Sequence, residues 1–275
     1  MNPAFQPPLK ADDGWRVLHE AACAPYRKVG RFAWHFARGK LGHDPVFRAL
    51  VERGLAGKGP LRVVDIGCGQ GLFASLLHAM GRMQSEGRWP AAWPEAPRDA
   101  RYSGIELMPR DIERGLAAIG HLQPGPRFIR GDMCVTALPA CELVVILDVL
   151  HYVDHAAQEE VLTRVRDALQ QGIQDVQGAG QDAVQDPVAP PPGRLLLRVG
   201  DASSRRGFAI SQWVDRTVTR VRGHTVSPTW GRPLAEWAAL LQRLGFSVHS
   251  VPMSQGTPFA NVLLVADLAV PEADA

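Results

Sequence analysis

Apolar residues in this chain form short continuous runs that alternate with longer stretches spaced by three or four, which predicts strands alternating with helices. The runs that predict seven strands begin near residues 63, 102, 127, 143, 193, 246 and 261. The run that starts at Leu143 is apolar through Leu147, as in a central parallel strand buried on both faces. We therefore expect an α/β fold with a Rossmann-like, mostly parallel seven-stranded sheet covered by helices on both faces.

The pattern also predicts a tail, a helical cap and one large domain. Residues 1–13 are rich in proline and polar residues and are expected to be a disordered tail. Residues 14–58 have apolar positions at helical spacing and are predicted to form an N-terminal helical cap. The large domain is predicted over 59–270, and three polar or irregular segments interrupt it: insertions at 82–100 and 170–193 and a substrate-side excursion at 202–232.

Size, charge and cysteine content limit the possible classes of protein but do not indicate a reaction. A chain of 275 residues with 46% hydrophobic residues can bury a full core. A net charge of +2 does not favour nucleic acid as a partner. The four cysteines show no C-x-x-C spacing, so metal and disulfide frameworks are not expected and the pattern fits a reducing cytoplasm. We also expect no signal peptide and no membrane span.

The segment after the first predicted strand carries the clearest signal. It has the spacing D-x-G-x-G-x-G, from Asp65 through Gly67, Gly69 and Gly71. Glycines lack a Cβ, so they adopt positive φ and let a ligand approach the main chain. A carboxylate at the carboxyl end of a strand suits a cationic ligand and repels a pyrophosphate. Cys68 is interpreted as a small packed residue, and a tight turn without a ligand is the alternative for the whole segment.

Three further segments follow in order. Residues 102–107 predict a strand ending in Glu106, residues 127–133 a strand ending near Asp132, and residues 143–152 a strand followed by a polar cluster. Together with the glycine turn, these segments resemble the class I S-adenosylmethionine-dependent methyltransferases over roughly residues 60–267. The resemblance implies that the last strand runs antiparallel between the fifth and sixth.

The resemblance also implies a cofactor, S-adenosylmethionine, and residues that hold it. Glu106 takes the ribose hydroxyls, Asp132 the adenine amino group, and the backbone amide of Met133 the adenine ring. The full set of cofactor-binding residues implied is Asp65, Gly67, Cys68, Gly69, Gly71, Glu106, Leu107, Asp132, Met133 and Asp148.

The polar cluster after the fourth strand supplies the candidates for catalysis. His151 is the candidate general base, because histidine is the residue type whose ordinary pKa lies near neutrality. Asp148 either orients His151 or faces the cofactor, and Tyr152 is a candidate hydrogen-bond partner of the substrate. The cap and the excursion add aromatic and imidazole side chains that predict a flat or apolar substrate pocket, although core packing explains them equally well: Tyr26, His35, Trp213 and His224.

A narrower resemblance concerns the substrate. Residues 25–41, together with 148–152, are similar to bacterial methyltransferases of aryl polyene or xanthomonadin-type pigment clusters. This resemblance implies methylation of an aromatic, hydroxyaryl or polyketide-like acceptor, either free or bound to an acyl carrier protein. Between Pro25 and Lys58 the chain has eight Lys or Arg and two acids, and such a basic face suits an acidic partner. A docked helix with a solvated basic face is the alternative.

Three competing functions remain at this stage. A protein or RNA methyltransferase is disfavoured because Asp148-Val149-Leu150-His151 stands where an Asn-Pro-Pro-Tyr type motif is expected. A catalytically silent subunit is disfavoured because Asp65, Glu106 and the glycines are all present. A nicotinamide dehydrogenase is disfavoured by the glycine spacing, which is not G-x-G-x-x-G.

Overall fold

The computed structural model describes residues 9–181, 193–200, 229–253 and 261–268. Its strands are β1 (Gly59–Ile66), β2 (Pro97–Glu106), β3 (Arg127–Arg130), β4 (Leu143–Leu147), β5 (Gly193–Gly200), β6 (Phe246–Pro252) and β7 (Asn261–Leu268). Its α-helices are α1 (Ala11–Cys23), α2 (Arg31–His43), α3 (Pro45–Glu52), α4 (Leu72–Ser85), α5 (Pro109–Ile119), α6 (His155–Gln181) and α7 (Leu234–Arg243). Two short 3₁₀ helices span Ala24–Lys28 and Leu150–Tyr152.

The seven strands confirm the predicted fold class. Their order is β3-β2-β1-β4-β5-β7-β6. The pairs β1 with β2, β2 with β3 and β4 with β5 are parallel, whereas β7 is antiparallel to both β5 and β6. The last strand therefore lies antiparallel between the fifth and sixth, as the resemblance implies. Open α/β sheets of this kind bind their ligands outside the carboxyl ends of the parallel strands.

The chain divides into two compact units, Met1–Asp132 and Met133–Ala275. The first contains β1 to β3 with α1 to α5, and the second contains β4 to β7 with α6 and α7. In each unit the central strands are apolar and buried: Val63 and Val64 on β1, and the run Val144 to Ile146 on β4. The division falls inside the predicted 59–270 domain, whose boundaries stay a prediction.

The region before β1 is helical and begins earlier than residue 14, and its role as a cap stays a prediction. Helix α1 starts at Ala11, within the predicted tail, because Asp12 and Asp13 in its first turn interact favourably with the helix dipole. Its apolar face buries Leu18 and Ala22 completely. The side chain of Asp44 accepts the Val46 N–H at 3.1 Å and caps α3.

The predicted insertion at 82–100 is shorter than expected. Helix α4 continues to Ser85 and β2 already begins at Pro97, which leaves a loop over residues 86–96. Trp89 and Trp93 anchor this loop: both are buried, and their rings pack edge to face with centroids 5.0 Å apart.

Helix α6 continues to Gln181, so the expectation of an insertion beginning at residue 170 was wrong. Asp154 caps the start of this helix, since its side chain accepts the Ala157 N–H at 2.9 Å. Gly172 on this helix lies directly against Cys141, which precedes β4: a Cβ at Gly172 would come within 2.0 Å of the Cys141 carbonyl oxygen. Glycine permits this close approach of the helix to the segment before β4.

Most of the predicted excursion at 202–232 lies outside the described residues, including Trp213 and His224. After it, α7 begins immediately after Pro233, and Gly245 follows its end with a φ of 90°, as the proline and glycine predict. Within the part of the chain that the structure describes, no helix combines the length and apolar character needed to cross a membrane.

Candidate functional site

Three glycines with positive φ form the turn that follows β1. Gly67, Gly69 and Gly71 have φ values of 75°, 54° and 71°, which side chains with a Cβ rarely adopt. The N–H groups of Gly67 and Cys68 both donate to the carbonyl oxygen of Ile105 on β2, at 2.8 and 3.2 Å. The turn is therefore fixed to the carboxyl end of the neighbouring strand before the chain enters α4.

Two of these glycines have different surroundings. A Cβ at Gly71 would lie 2.6 Å from the Phe128 ring and 3.0 Å from Ile119, so this position is closed by packing. A Cβ at Gly69 would meet no atom within 4 Å. The main chain at Gly69 thus borders open space, which is what close approach of a ligand requires.

The carboxylate of Glu106 is held at the end of β2 by two backbone donors. The N–H of Gly69 donates to Oε2 and the N–H of Met108 donates to Oε1, both at 2.8 Å. A carboxylate oxygen accepts more than one hydrogen bond, so both oxygens keep capacity for further donors such as hydroxyls. Beside it, Leu107 is 60% exposed and presents an apolar surface next to this carboxylate.

Asp65 lies buried beneath the turn. It is 5% exposed, and the Tyr102 hydroxyl donates to its Oδ2 at 2.6 Å. Burial raises the pKa of Asp65 to about 7; the hydrogen bond from Tyr102 opposes the rise and the nearby charge of Glu106 adds to it. Burial likewise raises the pKa of the Cys68 thiol, which disfavours a reactive thiolate and fits a packed residue.

The N-terminal helices attach directly to the glycine turn. The Tyr26 hydroxyl donates to the carbonyl oxygen of Gln70 at 2.9 Å, and the Ser75 hydroxyl donates to the carbonyl oxygen of Ala22 at 2.7 Å. Gln70 also donates to Asp111 at 3.3 Å. Tyr26 is fully buried, so in this structure its side chain supports the turn. Its predicted contact with substrate stays a prediction.

Helix α2 presents aromatic and imidazole side chains at the surface. Phe32 is 54% exposed, stacks on Phe36 with ring centroids 6.0 Å apart, and lies 4.5 Å from the guanidinium of Arg114. His35 on the same helix is exposed. An exposed aromatic side chain held by a stack and a cation is available to a flat ligand.

The segment after β3 carries the two residues predicted to bind adenine. The N–H of Gly131 donates to the Glu106 carbonyl oxygen at 3.1 Å, which fixes the start of this segment to the end of β2. Asp132 is exposed. The carbonyl oxygen of Met133 accepts a hydrogen bond from the guanidinium of Arg164 on α6.

In the second unit, Asp148 follows β4 with a φ of 61°, an uncommon conformation for a residue other than glycine. Its carboxylate accepts a bidentate pair from Arg198 on β5: Nε donates to Oδ1 at 2.7 Å and Nη2 to Oδ2. Arg198 is 3% exposed and opposes Leu147 across the parallel pair. The pair holds the carboxylate at the carboxyl ends of β4 and β5.

His151 and Tyr152 share the short 3₁₀ helix after Asp148. Their rings pack with centroids 4.3 Å apart, and Tyr152 is 39% exposed. The Trp230 N–H donates to the carbonyl oxygen of His151 at 2.8 Å. The second unit therefore brings the three predicted catalytic residues, Asp148, His151 and Tyr152, into one short segment.

One buried amide holds this segment in place. Gln158 on α6 is fully buried, and its Nε2 contacts the carbonyl oxygens of Leu150, Val153 and Trp230 at 3.4, 3.0 and 2.8 Å. Its Oε1 accepts from Arg232 Nε at 2.8 Å. The side chain thus satisfies buried carbonyl groups on both sides of the histidine segment.

Sequence reasoning did not identify three residues of this environment: Tyr102, Arg198 and Gln158. Arg198 carries a usable signal, since a charge within the apolar run of β5 requires a partner when it is buried. Tyr102 and Gln158 carry none, because a tyrosine in a strand and a glutamine on a helix are ordinary. Among the described residues, no group of three or more His, Cys, Asp or Glu is placed to hold a metal ion.

Comparison with known proteins places the fold. No protein-family model and no curated protein matches this sequence. Solved structures do match. An O-methyltransferase family protein from Burkholderia thailandensis has a TM-score of 0.55 at 15% identity, covering 94% of this chain and 69% of that one. Magnesium protoporphyrin IX methyltransferase from Synechocystis has a TM-score of 0.50 at 15% identity, covering 94% and 99%.

Human N-acetylserotonin methyltransferase matches with a TM-score of 0.50 at 13% identity, over 95% of this chain and 61% of that one. The chain spans about half, 51%, of another matched structure, an O-methyltransferase family 2 protein from Planctomyces limnophilus. The matches with TM-scores of 0.50 to 0.55 establish the fold of the class I methyltransferases for this chain. The narrower resemblance to pigment-cluster methyltransferases receives no support from them.

Proposed function

We propose that this protein is an S-adenosylmethionine-dependent methyltransferase that acts on a small molecule. The observation that carries the proposal is the pairing of an open main chain at Gly69 with the carboxylate of Glu106, which that same residue's N–H holds at 2.8 Å. A glycine backbone that borders open space beside a carboxylate that still accepts hydrogen bonds fits a ribose with two hydroxyls.

The residues present fit the rest of this cofactor. Asp65 supplies a carboxylate for the ammonium group of the methionyl end, and its partner Tyr102 fixes its orientation. Leu107 offers its exposed apolar surface to the adenine ring. We assign Asp132 to the adenine amino group and the Met133 amide to the ring. Gly67, Cys68, Gly71 and Asp148 complete the predicted set.

The bound cofactor supplies an activated methyl group together with its leaving group, so the protein mainly aligns the acceptor and accepts its proton. We assign proton acceptance to His151, since an imidazole is half-protonated near neutral pH. Trp230 and Gln158 hold its backbone in place. Tyr152, packed on the His151 ring, provides a hydroxyl for the acceptor.

For the acceptor we propose an aromatic hydroxyaryl or polyketide-like compound. The described residues offer three exposed aromatic side chains, Phe32, Tyr152 and Trp230. Two matched proteins support this class by their names: they methylate magnesium protoporphyrin IX and N-acetylserotonin, both ring systems. His35, Tyr26, Trp213 and His224 stay predicted substrate contacts.

We propose that the methyl acceptor is presented to the enzyme while attached to an acyl carrier protein. Residues 24–43 contain five Lys or Arg and no acid, and Arg27, Lys28 and Arg31 are exposed. Trp34 lies 4.4 Å from the Arg27 guanidinium, which combines charge with an aromatic surface. A basic surface of this kind attracts an acidic carrier domain.

The first experiment is isothermal titration calorimetry of the full chain with S-adenosylmethionine, S-adenosylhomocysteine and NAD. We expect roughly micromolar binding of the first two and none of NAD. Asp65→Asn keeps the shape but removes the charge, so we expect about tenfold weaker binding of both sulfur ligands. The matched control is Asp99→Asn, which removes an exposed carboxylate from the same unit and leaves affinity unchanged.

Binding of NAD with no binding of the sulfur ligands would refute the proposal in favour of a dehydrogenase. Methyl transfer is then measured with free hydroxyaryl acids and with their carrier-bound thioesters. His151→Gln is expected to lower kcat by roughly 10²-fold or more while the affinity for S-adenosylhomocysteine stays unchanged. Equal kcat in the variant removes His151 from the role of base.

The carrier hypothesis has its own test. Reversing the charges of Arg27, Lys28 and Arg31 to glutamate is expected to raise KM for a carrier-bound substrate about tenfold and to leave KM for the pantetheine thioester unchanged. The control is Arg16→Glu, which changes an exposed charge on α1. An unchanged KM for the carrier-bound substrate means that the basic surface does not dock a carrier.

A further inference from the structure

A cavity, called here the second cavity to distinguish it from the proposed cofactor site, lies in the first unit at the edge of the sheet opposite to the glycine turn. Its volume is about 490 Å³, within the range of small-molecule sites. It is bordered by the C-terminal half of α4, the first residues of β2 and the segment 122–126 that leads into β3. Parallel strands begin at this edge, so the cavity is separate from the residues assigned to the cofactor.

The inner wall of this cavity is apolar. Leu77 and the Tyr102 ring, which are 3% and 5% exposed, line it together with Leu122, Pro97 and Pro124. Rigid proline rings and a tyrosine ring form flat surfaces, which pack well against an aromatic or branched aliphatic group. The wall therefore selects the apolar part of a ligand.

The rim of the cavity is cationic. Arg82, Arg98 and His78 line it, and Asp99 is the one carboxylate among the lining residues. Arg82 pairs with Glu86 at 3.4 Å and Arg98 with Glu95 at 3.0 Å, and all four side chains are more than 40% exposed. Such exposed pairs contribute roughly 0–1 kcal/mol, so a ligand that carries a carboxylate competes readily for either arginine.

The positive charges also act on His78. Partial burial first, and then the charges of Arg82 and His121, lower the pKa of this imidazole. Three basic side chains therefore line the rim, and Asp99 is the one carboxylate beside them in the lining. An anion bound there relieves this repulsion and raises the pKa of His78.

We propose that this cavity binds a small aromatic or aliphatic carboxylate, with its apolar group against Leu77 and Tyr102 and its carboxylate between Arg82 and Arg98. The site lies apart from the residues assigned to the cofactor, and its ligand takes no part in methyl transfer, so the ligand acts as an effector.

The test uses 2-naphthoate as the probe and 2-naphthamide, which has the same rings without the charge, as the matched ligand. Binding to the full chain is followed by nuclear magnetic resonance of the His78 imidazole in the presence of saturating S-adenosylhomocysteine. We expect naphthoate to raise the pKa of His78 and to bind about tenfold more tightly than naphthamide, as a charge-assisted hydrogen bond predicts.

The double variant Arg82→Gln and Arg98→Gln is expected to bind naphthoate about tenfold more weakly. The control is Arg88→Gln, which removes another partner of Glu86 that does not line the cavity. Equal binding of naphthoate and naphthamide, or an unchanged His78 resonance at millimolar naphthoate, overturns the proposal. Because both ligands are compared on the unaltered chain, a folding defect in the variant does not affect this result. The His78 response also distinguishes this site from the cofactor site, whose failure would appear only as absent binding of S-adenosylhomocysteine.

Discussion

At the scale of single residues, two glycines of one turn are expected to respond differently to the same substitution. Gly69→Ala places a methyl group in open space, so its cost in stability is the strain of a positive φ, roughly 1 kcal/mol. Gly71→Ala adds a clash with the Phe128 ring at 2.6 Å and is expected to cost several kcal/mol. Urea unfolding measures both costs.

Ligand binding separates the two positions further. The alanine at position 69 occupies the space that the proposed cofactor needs, so the folded variant is expected to lose affinity for S-adenosylhomocysteine by about tenfold or more. Gly69→Asn serves as a control for backbone strain, since asparagine tolerates positive φ but still fills the space. Full affinity in a folded Gly69→Ala variant would contradict the proposed position of the cofactor.

Asp65 makes stability depend on pH. The folded protein keeps a proton on this carboxyl up to about pH 7, whereas the ordinary carboxyl has lost it above about pH 4. Between those values the folded state binds more protons than the unfolded chain, so raising the pH weakens it. Asp65→Asn removes this dependence and is expected to gain stability relative to the unaltered chain, by at most about 4 kcal/mol, between pH 5 and pH 8.

Urea unfolding of both proteins without ligand at pH 5 and pH 8 measures this difference. Exposed Asp99→Asn is the control, for which the same comparison is expected to change little. If the stability difference between the Asp65 variant and the unaltered chain is the same at both pH values, then Asp65 does not hold a proton in the folded state.

At the scale of elements, the histidine segment depends on α6. Gln158→Met fills a similar volume but leaves the carbonyl oxygens of Val153 and Trp230 without this donor. We expect a loss of about 1–3 kcal/mol in stability. We also expect lower kcat with little change in cofactor affinity, because His151 is held through the same segment. Unfolding and steady-state kinetics provide the two measurements.

The same helix supplies the control. Gln171→Met removes a glutamine that donates to Asp175 on the exposed side of α6, and it is expected to change stability by less than about 0.5 kcal/mol. A kcat for Gln158→Met equal to that of the unaltered chain would show that the hydrogen bonds from Gln158 to residues 150–153 do not position the proposed base.

The elements themselves were largely predictable, and the exceptions have a physical cause. The periodicity of apolar residues predicts β1 and β4. Asp65 lies next to the end of β1, and Asp154 directly precedes α6, so both boundaries have a local signal. The insertion predicted to begin at residue 170 was wrong, because Gln170, Gln171 and Gly172 are typical of the end of a helix although α6 continues to Gln181. The contact of Gly172 with the Cys141 backbone, which makes glycine necessary there, is a tertiary feature.

At the scale of the whole molecule, ligand binding is expected to stabilise the chain. A ligand that binds the folded state alone adds about 2.7 kcal/mol at one hundred times its Kd. For a chain of this size that corresponds to a rise in Tm of roughly 5–10 °C. Differential scanning fluorimetry with S-adenosylhomocysteine measures it, and NAD at the same concentration is the control. Equal shifts for both ligands would argue against a specific cofactor site.

The sequence predicts the fold of the whole chain better than the environment of its site. The seven-stranded, mostly parallel sheet is confirmed and follows from the alternation of apolar runs with helical spacing, whereas the antiparallel β7, also confirmed, follows from the resemblance to class I methyltransferases. The hydrogen bonds from Tyr102 to Asp65 and from Arg198 to Asp148 join residues 37 and 50 positions apart. No local pattern indicates such pairs, and each pair fixes the orientation of its carboxylate.

Tyr102 belongs to two places at once, since its ring lines the second cavity and its hydroxyl donates to Asp65. Two ligands that share one rigid side chain are thermodynamically linked: the factor by which the first changes affinity for the second equals the factor in reverse. Naphthoate is therefore expected to change the Kd of S-adenosylhomocysteine, and Tyr102→Phe to abolish that change. The effect of the effector on cofactor affinity and the effect of the cofactor on effector affinity are therefore governed by one coupling free energy, which either titration measures.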